Sequence, residues 1–168
     1  MERPESEAKH YQTFEDLEVY QVAREFRKAM YRLARRLPNE EKFALTNQVR
    51  RAAVSLTNNI AEGHGRFHFF EQIKFMLQSR GSLEELLDDL NVCEDEAYLP
   101  IDEIVSVKQE DWRVHKLING YVRFLRKRAS EHSPRVREGS EDNPLDDDEL
   151  EDLFSGRFNP SSLQHFNE

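Results

Sequence analysis

Four stretches of the chain repeat apolar residues at the three- and four-residue spacing of an amphipathic helix. In the first, from about Phe14 to Leu37, the residues Leu17, Val19, Val22, Ala23, Phe26, Met30, Leu33 and Leu37 share one broad stripe. Thr13 and Asp16 have the spacing of a capping box, with Asp in the position usually held by Glu, and Pro38 stops the segment. The second stretch spans roughly Lys42 to Glu62, and Gly63 is placed to close it as a left-handed C-cap. The third begins near Phe67 and reaches about Asp95 through Phe70, Ile73, Leu77, Leu83, Leu86, Leu87 and Leu90. The fourth opens at Pro100, a favoured first-turn residue. It continues through Ile101, Ile104, Val105, Trp112, His115, Ile118, Val122 and Leu125 to about Ala129.

The connections PNEE, GHGR and AYL are short, which makes successive helices antiparallel neighbours. An all-α fold follows, an antiparallel up-down-up-down four-helix bundle. Gly81 and Gly120 interrupt the third and fourth helices at a cost of about 1 kcal/mol each relative to Ala. Close helix approach at those two points is the expected compensation.

Charge divides the chain into a body and a tail. Residues 14–130 hold 19 basic and 19 acidic side chains, whereas residues 131–168 hold 3 basic and 11 acidic ones. The net charge of −9 therefore belongs almost entirely to the C-terminal segment. The expected organisation is a flexible arm over 1–13, the bundle over 14–130, and a largely disordered acidic tail over 131–168. Within the tail, residues 145–158 alternate acids with Leu150, Leu153, Phe154 and Phe158, the pattern of a short peptide that docks in a groove of a partner or of its own bundle. The N-terminal MERPESEAKHYQTFEDLE does not resemble a signal peptide, and no apolar run approaches the length of a bilayer span, so a cytoplasmic protein without membrane contact is expected.

Candidate chemistry is sparse. A di-iron bundle needs two Glu-x-x-His motifs on facing helices, and the only one here, Glu7 to His10, lies in the N-terminal arm. His64 and His68 flank the second connection near Glu71, but no fourth ligand accompanies them. The single cysteine, Cys93, excludes an intramolecular disulfide, and the neighbouring Glu94, Asp95 and Glu96 would raise its pKa. No phosphate-binding loop, dinucleotide fingerprint or HExxH is present. The expectation is a protein without catalysis, metal or cofactor.

The stretch VRRAAVSLTNNIAEGHGR, residues 49–66, stands apart. At about 100° per residue, Leu45, Val49, Ala52, Leu56 and Ile60 occupy one sector of the second helix. Gln48, Arg51, Ser55, Asn59 and Glu62 occupy a second sector beside it. A solvated face would favour Lys and Glu over Ser and Asn, which are poorer helix formers. Two readings stand: a hydrogen-bonded seam between helices or subunits, and direct contact with a ligand.

The blocks FEDLEVYQVA at 14–23, LTNQVRRAAVSLTNNIAEGHGR at 45–66, GSLEEL at 81–86 and the YLP turn resemble the 23S rRNA intervening-sequence protein family, encoded within inserts in bacterial large-subunit rRNA genes and elsewhere. Ser79 stands where that family more usually has Ala, and the acidic tail is outside its pattern. The resemblance implies a four-helix bundle that assembles as a homopentamer. It also implies kinship with the accessory protein of diversity-generating retroelements, which partners a reverse transcriptase and its RNA. Arg51, Ser55, Asn59, Glu62, Gly63, Arg66, Ser82 and Glu85 match the family signature.

An RNA-associated oligomer is the leading functional expectation. Its candidate phosphate contacts are Arg24, Arg27, Lys28, Arg32, Arg35 and Arg36 on the first helix, with Arg123, Arg126, Lys127 and Arg128 on the fourth. The alternative is a protein–protein adaptor that displays acidic-hydrophobic tails from an oligomeric hub.

Overall fold

A computed structural model describes residues 13–132. Four α-helices run through it in order: α1 (Glu18–Ala34), α2 (Leu45–His64), α3 (Phe69–Asp95) and α4 (Ile101–His132). They form the expected all-α four-helix bundle, and no strand occurs among the described residues. Each helix buries one stripe. Val19, Ala23, Phe26 and Met30 from α1 meet Val49, Ala52, Leu56 and Ile60 from α2, Met76, Leu83, Leu86 and Leu90 from α3, and Ile104, Ile118 and Leu125 from α4. Alternating alanines and large side chains let the helices interdigitate.

The helix termini differ from the sequence expectation. The Thr13–Asp16 capping box forms, but it caps a separate 3-10 turn over Phe14–Asp16. Extended Leu17 breaks the chain there, and α1 starts at Glu18. Residues Asn39–Phe43 form a second 3-10 turn, so α2 begins at Leu45.

Gly63 is not a C-cap. It lies inside α2, which ends at Gly65 in ordinary right-handed geometry (φ −74°). Its conformational freedom is not used; its missing side chain is. A Cβ on Gly63 would stand 2.9 Å from the Phe75 Cβ, 3.4 Å from the Gln72 carbonyl oxygen and 3.4 Å from the Met76 methyl. The left-handed cap occurs instead at Ala97 (φ 51°), after α3. The Tyr98 N–H donates to the Cys93 carbonyl and the Ala97 N–H to the Glu94 carbonyl, both at 3.0 Å, which is a Schellman motif with alanine in the glycine position.

Gly81 and Gly120 depart from expectation in the opposite way. Neither has any atom of a neighbouring described element within 4 Å of an added Cβ, so no other described helix approaches closely there. Phe70 and Leu77, assigned by periodicity to the buried stripe of the third helix, are 70% and 37% exposed.

Two substitutions separate these backbone roles. Gly63→Ala should destabilise the bundle by about 1–3 kcal/mol through overpacking against Phe75. Ala97→Gly should stabilise it by about 1 kcal/mol by relieving left-handed strain. Urea unfolding of both variants, followed by far-UV circular dichroism, reads each sign directly.

Candidate functional site

The polar residues of α2 face α3. The Ser55 and Ser82 hydroxyls lie 2.8 Å apart, and Asn59 Nδ2 donates to the Ser55 carbonyl at 2.9 Å and to its hydroxyl at 3.2 Å. One turn deeper, the Ser79 hydroxyl donates to the Leu56 carbonyl at 2.7 Å from a fully buried position. Gln48 Nε2 donates to Asp89 Oδ1 at 2.8 Å at the other end of the contact. The Ser55–Ser82, Ser79–Leu56 and Gln48–Asp89 bonds tie the two helices together along the line that ends at the Gly63–Phe75 approach, while the Asn59 bonds stay within α2.

The other signature residues do different things. Glu62 pairs with Arg66 one turn on, and Arg66 also lies over the Phe75 ring, 4.7 Å from its centroid. The Arg66 carbonyl accepts from Gln72 Nε2 at 2.8 Å, which fastens the α2–α3 turn to α3. Arg51 and Glu85 are exposed and have no hydrogen-bond partner among the described residues. The signature positions thus comprise a seam of half-buried Ser55 and Asn59 with buried Ser82 and Gly63, a turn clamp (Glu62, Arg66) and two solvent-facing charges.

The basic residues of α1 also separate into used and unused groups. Arg27 Nη1 donates to Thr57 Oγ1 at 2.7 Å and so braces α1 against α2. Lys28 pairs with Glu25 at 2.6 Å, and Arg36 pairs with Glu103 at the start of α4. Arg24, Arg32 and Arg35 are exposed and in no ion pair with any described residue. A groove of about 410 Å³ is lined by Arg27, Lys28, Tyr31, Arg32 and Arg35.

The α4 candidates lie elsewhere. The Arg36–Glu103 pair sets the start of α4 beside the end of α1. Arg123, Arg126, Lys127 and Arg128 are therefore roughly 30 Å along the axis from Arg36 at 1.5 Å per residue, toward the end of the bundle where α1 begins and Arg24 lies. Leu150, Leu153, Phe154 and Phe158 lie outside the described residues.

Four buried titratable groups lie outside the expected site residues. Asp111 is 4% exposed, its Oδ1 has no hydrogen-bond partner among the described residues, and burial together with nearby Glu84 pushes its carboxyl up to about 8. Asp89 is pushed up to about 6 by burial and by Asp88 and Glu85, against the Gln48 hydrogen bond. His115 Nδ1 lies 3.4 Å from Glu84 Oε1; burial lowers its pKa, Glu84 opposes that shift and Arg80 adds to it. Sequence reading placed His115 on this face but missed Asp111, although Asp111 falls seven residues after Ile104 and seven before Ile118, in core register. The Cys93 thiol is pushed up to about 11, chiefly by burial and then by Asp89 and Glu41, not by the acids that follow it in sequence.

No group of three or more His, Cys, Asp or Glu side chains suited to a metal occurs among the described residues. No helix among them is long and apolar enough to cross a membrane.

The arrangement defines a class before it defines a name: an antiparallel four-helix bundle whose most distinctive polar residues stitch α2 to α3. Residues 15–120 match the 23S rRNA-intervening sequence protein family, and the chain belongs to that family. None of the curated proteins compared with it matches.

The buried acids give a pH signature. A carboxyl whose folded pKa lies above its ordinary value contributes stability at low pH that is lost as pH rises toward the folded value. For Asp111 that window runs from about 4 to about 8, and for Asp89 from about 4 to about 6. Lowered His115 acts in the other direction near its ordinary range, so the comparison with a variant is the clean one. Asp111→Asn should raise stability at pH 8 by about 2 kcal/mol or more and change it little at pH 4, read by thermal melts across that range.

Proposed function

We propose that this chain is a non-catalytic, oligomeric, RNA-associated bundle that holds an RNA backbone on the outer face of α1. The observation that carries this reading is the groove around Tyr31, where Arg32 and Arg35 stay exposed and unpaired among the described residues while Arg27 braces α2. Arg24 extends the same helix toward its start. Unpaired guanidinium groups on a rigid helix are pre-organised for phosphate. The family name supplies a ribosomal RNA context.

A second copy of the chain is the partner assigned to the open helix surfaces at Gly81 and Gly120, where half-exposed Leu77 and half-buried Leu117 flank missing side chains. Family resemblance sets the expected number at five. An oligomer multiplies each α1 patch, so modest single-site affinity becomes avidity.

The acidic-hydrophobic segment 145–158 supports a second reading, a docking peptide for a protein partner. A truncation ending near Ser130 that keeps RNA binding but loses protein partners would favour that role for the segment.

Titrating labelled RNA into the full-length protein at two salt concentrations tests the main reading. Arg24→Glu/Arg32→Glu/Arg35→Glu should weaken binding at least about tenfold and reduce the salt slope by about 2–3. Wild-type protein that binds no RNA at either salt overturns the reading. Light scattering on the same samples should give a multiple of 19.9 kDa, and a monomer would remove the avidity argument.

A further inference from the structure

The α2–α3 turn carries two aromatic rings that the core does not use. Phe67 is 95% exposed and Phe70 is 70% exposed, three residues apart where α3 begins. Their neighbour Phe69 is half-buried and meets the His132 ring at 5.5 Å, which brings the last turns of α4 to the same end of the bundle. The Arg80–Asn119 bond, at 3.3 Å, fixes the same register farther along. On that register Ser130 is level with Phe70, and Arg126 is level with Lys74.

The backbone here is held, not loose. Arg66 is clamped by Glu62 and by the Phe75 ring, and Gln72 closes the turn onto the Arg66 carbonyl. Two exposed rings therefore sit on a fixed corner, with Arg66 and Lys74 close to them in the chain and Arg126 and Lys127 level with the first turns of α3. Lys74, Arg126 and Lys127 are in no ion pair among the described residues. The carboxylates nearby are Glu62, which is already paired, and the exposed Glu71 and Glu131.

We infer that this corner is a base-stacking site for single-stranded RNA, distinct from the α1 groove and resting on the RNA-associated reading. An apolar groove partner would need a continuous hydrophobic surface, but Phe69 between the rings is half-buried against His132, and the exposed residues around them are Arg66, His68, Glu71 and Lys74. A base needs only one ring face, and its phosphate needs a cation within reach, which is what the corner offers. Every base presents a π-face, so the site selects unpaired strands over duplex and is tolerant of sequence. A strand stacked at this end could be held at a distance from one bound on α1, so the two surfaces act as separate contacts.

The test uses full-length protein, a labelled twelve-nucleotide oligouridylate and a twelve-base-pair RNA duplex, with anisotropy titrations at one fixed salt. Phe67→Ala/Phe70→Ala should lose about tenfold or more in single-strand affinity, with duplex binding and salt slope unchanged. Phe67→Tyr/Phe70→Tyr should keep wild-type binding, since the ring faces remain. Thermal melts check folding, and the tyrosine pair keeps the comparison decisive if the alanine pair unfolds. Equal single-strand binding by the alanine pair and wild type overturns the stacking site while leaving RNA association standing. Equal loss on single strand and duplex also overturns it, because stacking would spare the duplex. Wild-type protein that binds neither probe overturns the RNA-associated reading itself.

Discussion

Between α2 and α3 the backbones come so close at Gly63 that the Phe75 Cβ occupies the space a side chain would need. That approach is the constraint on which the rest of the bundle depends. It draws the polar row of α2 against α3, so that Ser55, Asn59 and Ser82 satisfy one another where a wider gap would admit water. It also aligns Ser79 with the Leu56 carbonyl in the middle of the contact and Gln48 with Asp89 at its far end. Buried polar groups that find partners specify one register, because any slip leaves them unsatisfied. Mediocre helix formers are tolerated in α2 for that reason.

Charge in this molecule is segregated rather than neutralised. Several α1 cations are consumed by structure: Arg27 on Thr57, Lys28 on Glu25 and Arg36 on Glu103. Those left over on α1, Arg24, Arg32 and Arg35, point outward along the helix. Inside, burial keeps the Asp111 carboxyl protonated at neutral pH and favours neutral His115, so the α3–α4 contact avoids an isolated buried charge. The body is electrically neutral in sum, yet its surface is not uniform.

The four helices were legible because each carries a long apolar stripe at helical spacing, and short connections leave one simple topology. Helix ends were read less well. Extended Leu17 and the 3-10 turns at Phe14–Asp16 and Asn39–Phe43 lie inside apparently continuous periodicity. Gly63 illustrates the ambiguity of glycine: the letter marks either a left-handed turn or a close approach, and only three-dimensional packing distinguishes them. Ala97 took the left-handed position although nothing in its identity announces it. The Ser55–Ser82 link was expressible from helical geometry, as a polar sector beside the core sector. The exposure of Phe70 was not, because the stripe on α3 is wide and rotation by a single residue decides which side faces water.

The Ser55 row acts as a seam between helices rather than as a place where a ligand binds. A double-mutant cycle on Ser55→Ala and Ser82→Ala, with urea unfolding and RNA titration of all four proteins, addresses it most directly. A seam predicts a coupling energy of about 0.5–1.5 kcal/mol in stability, with RNA affinity held within about twofold throughout. Additive stability changes accompanied by a selective loss of RNA binding would contradict it.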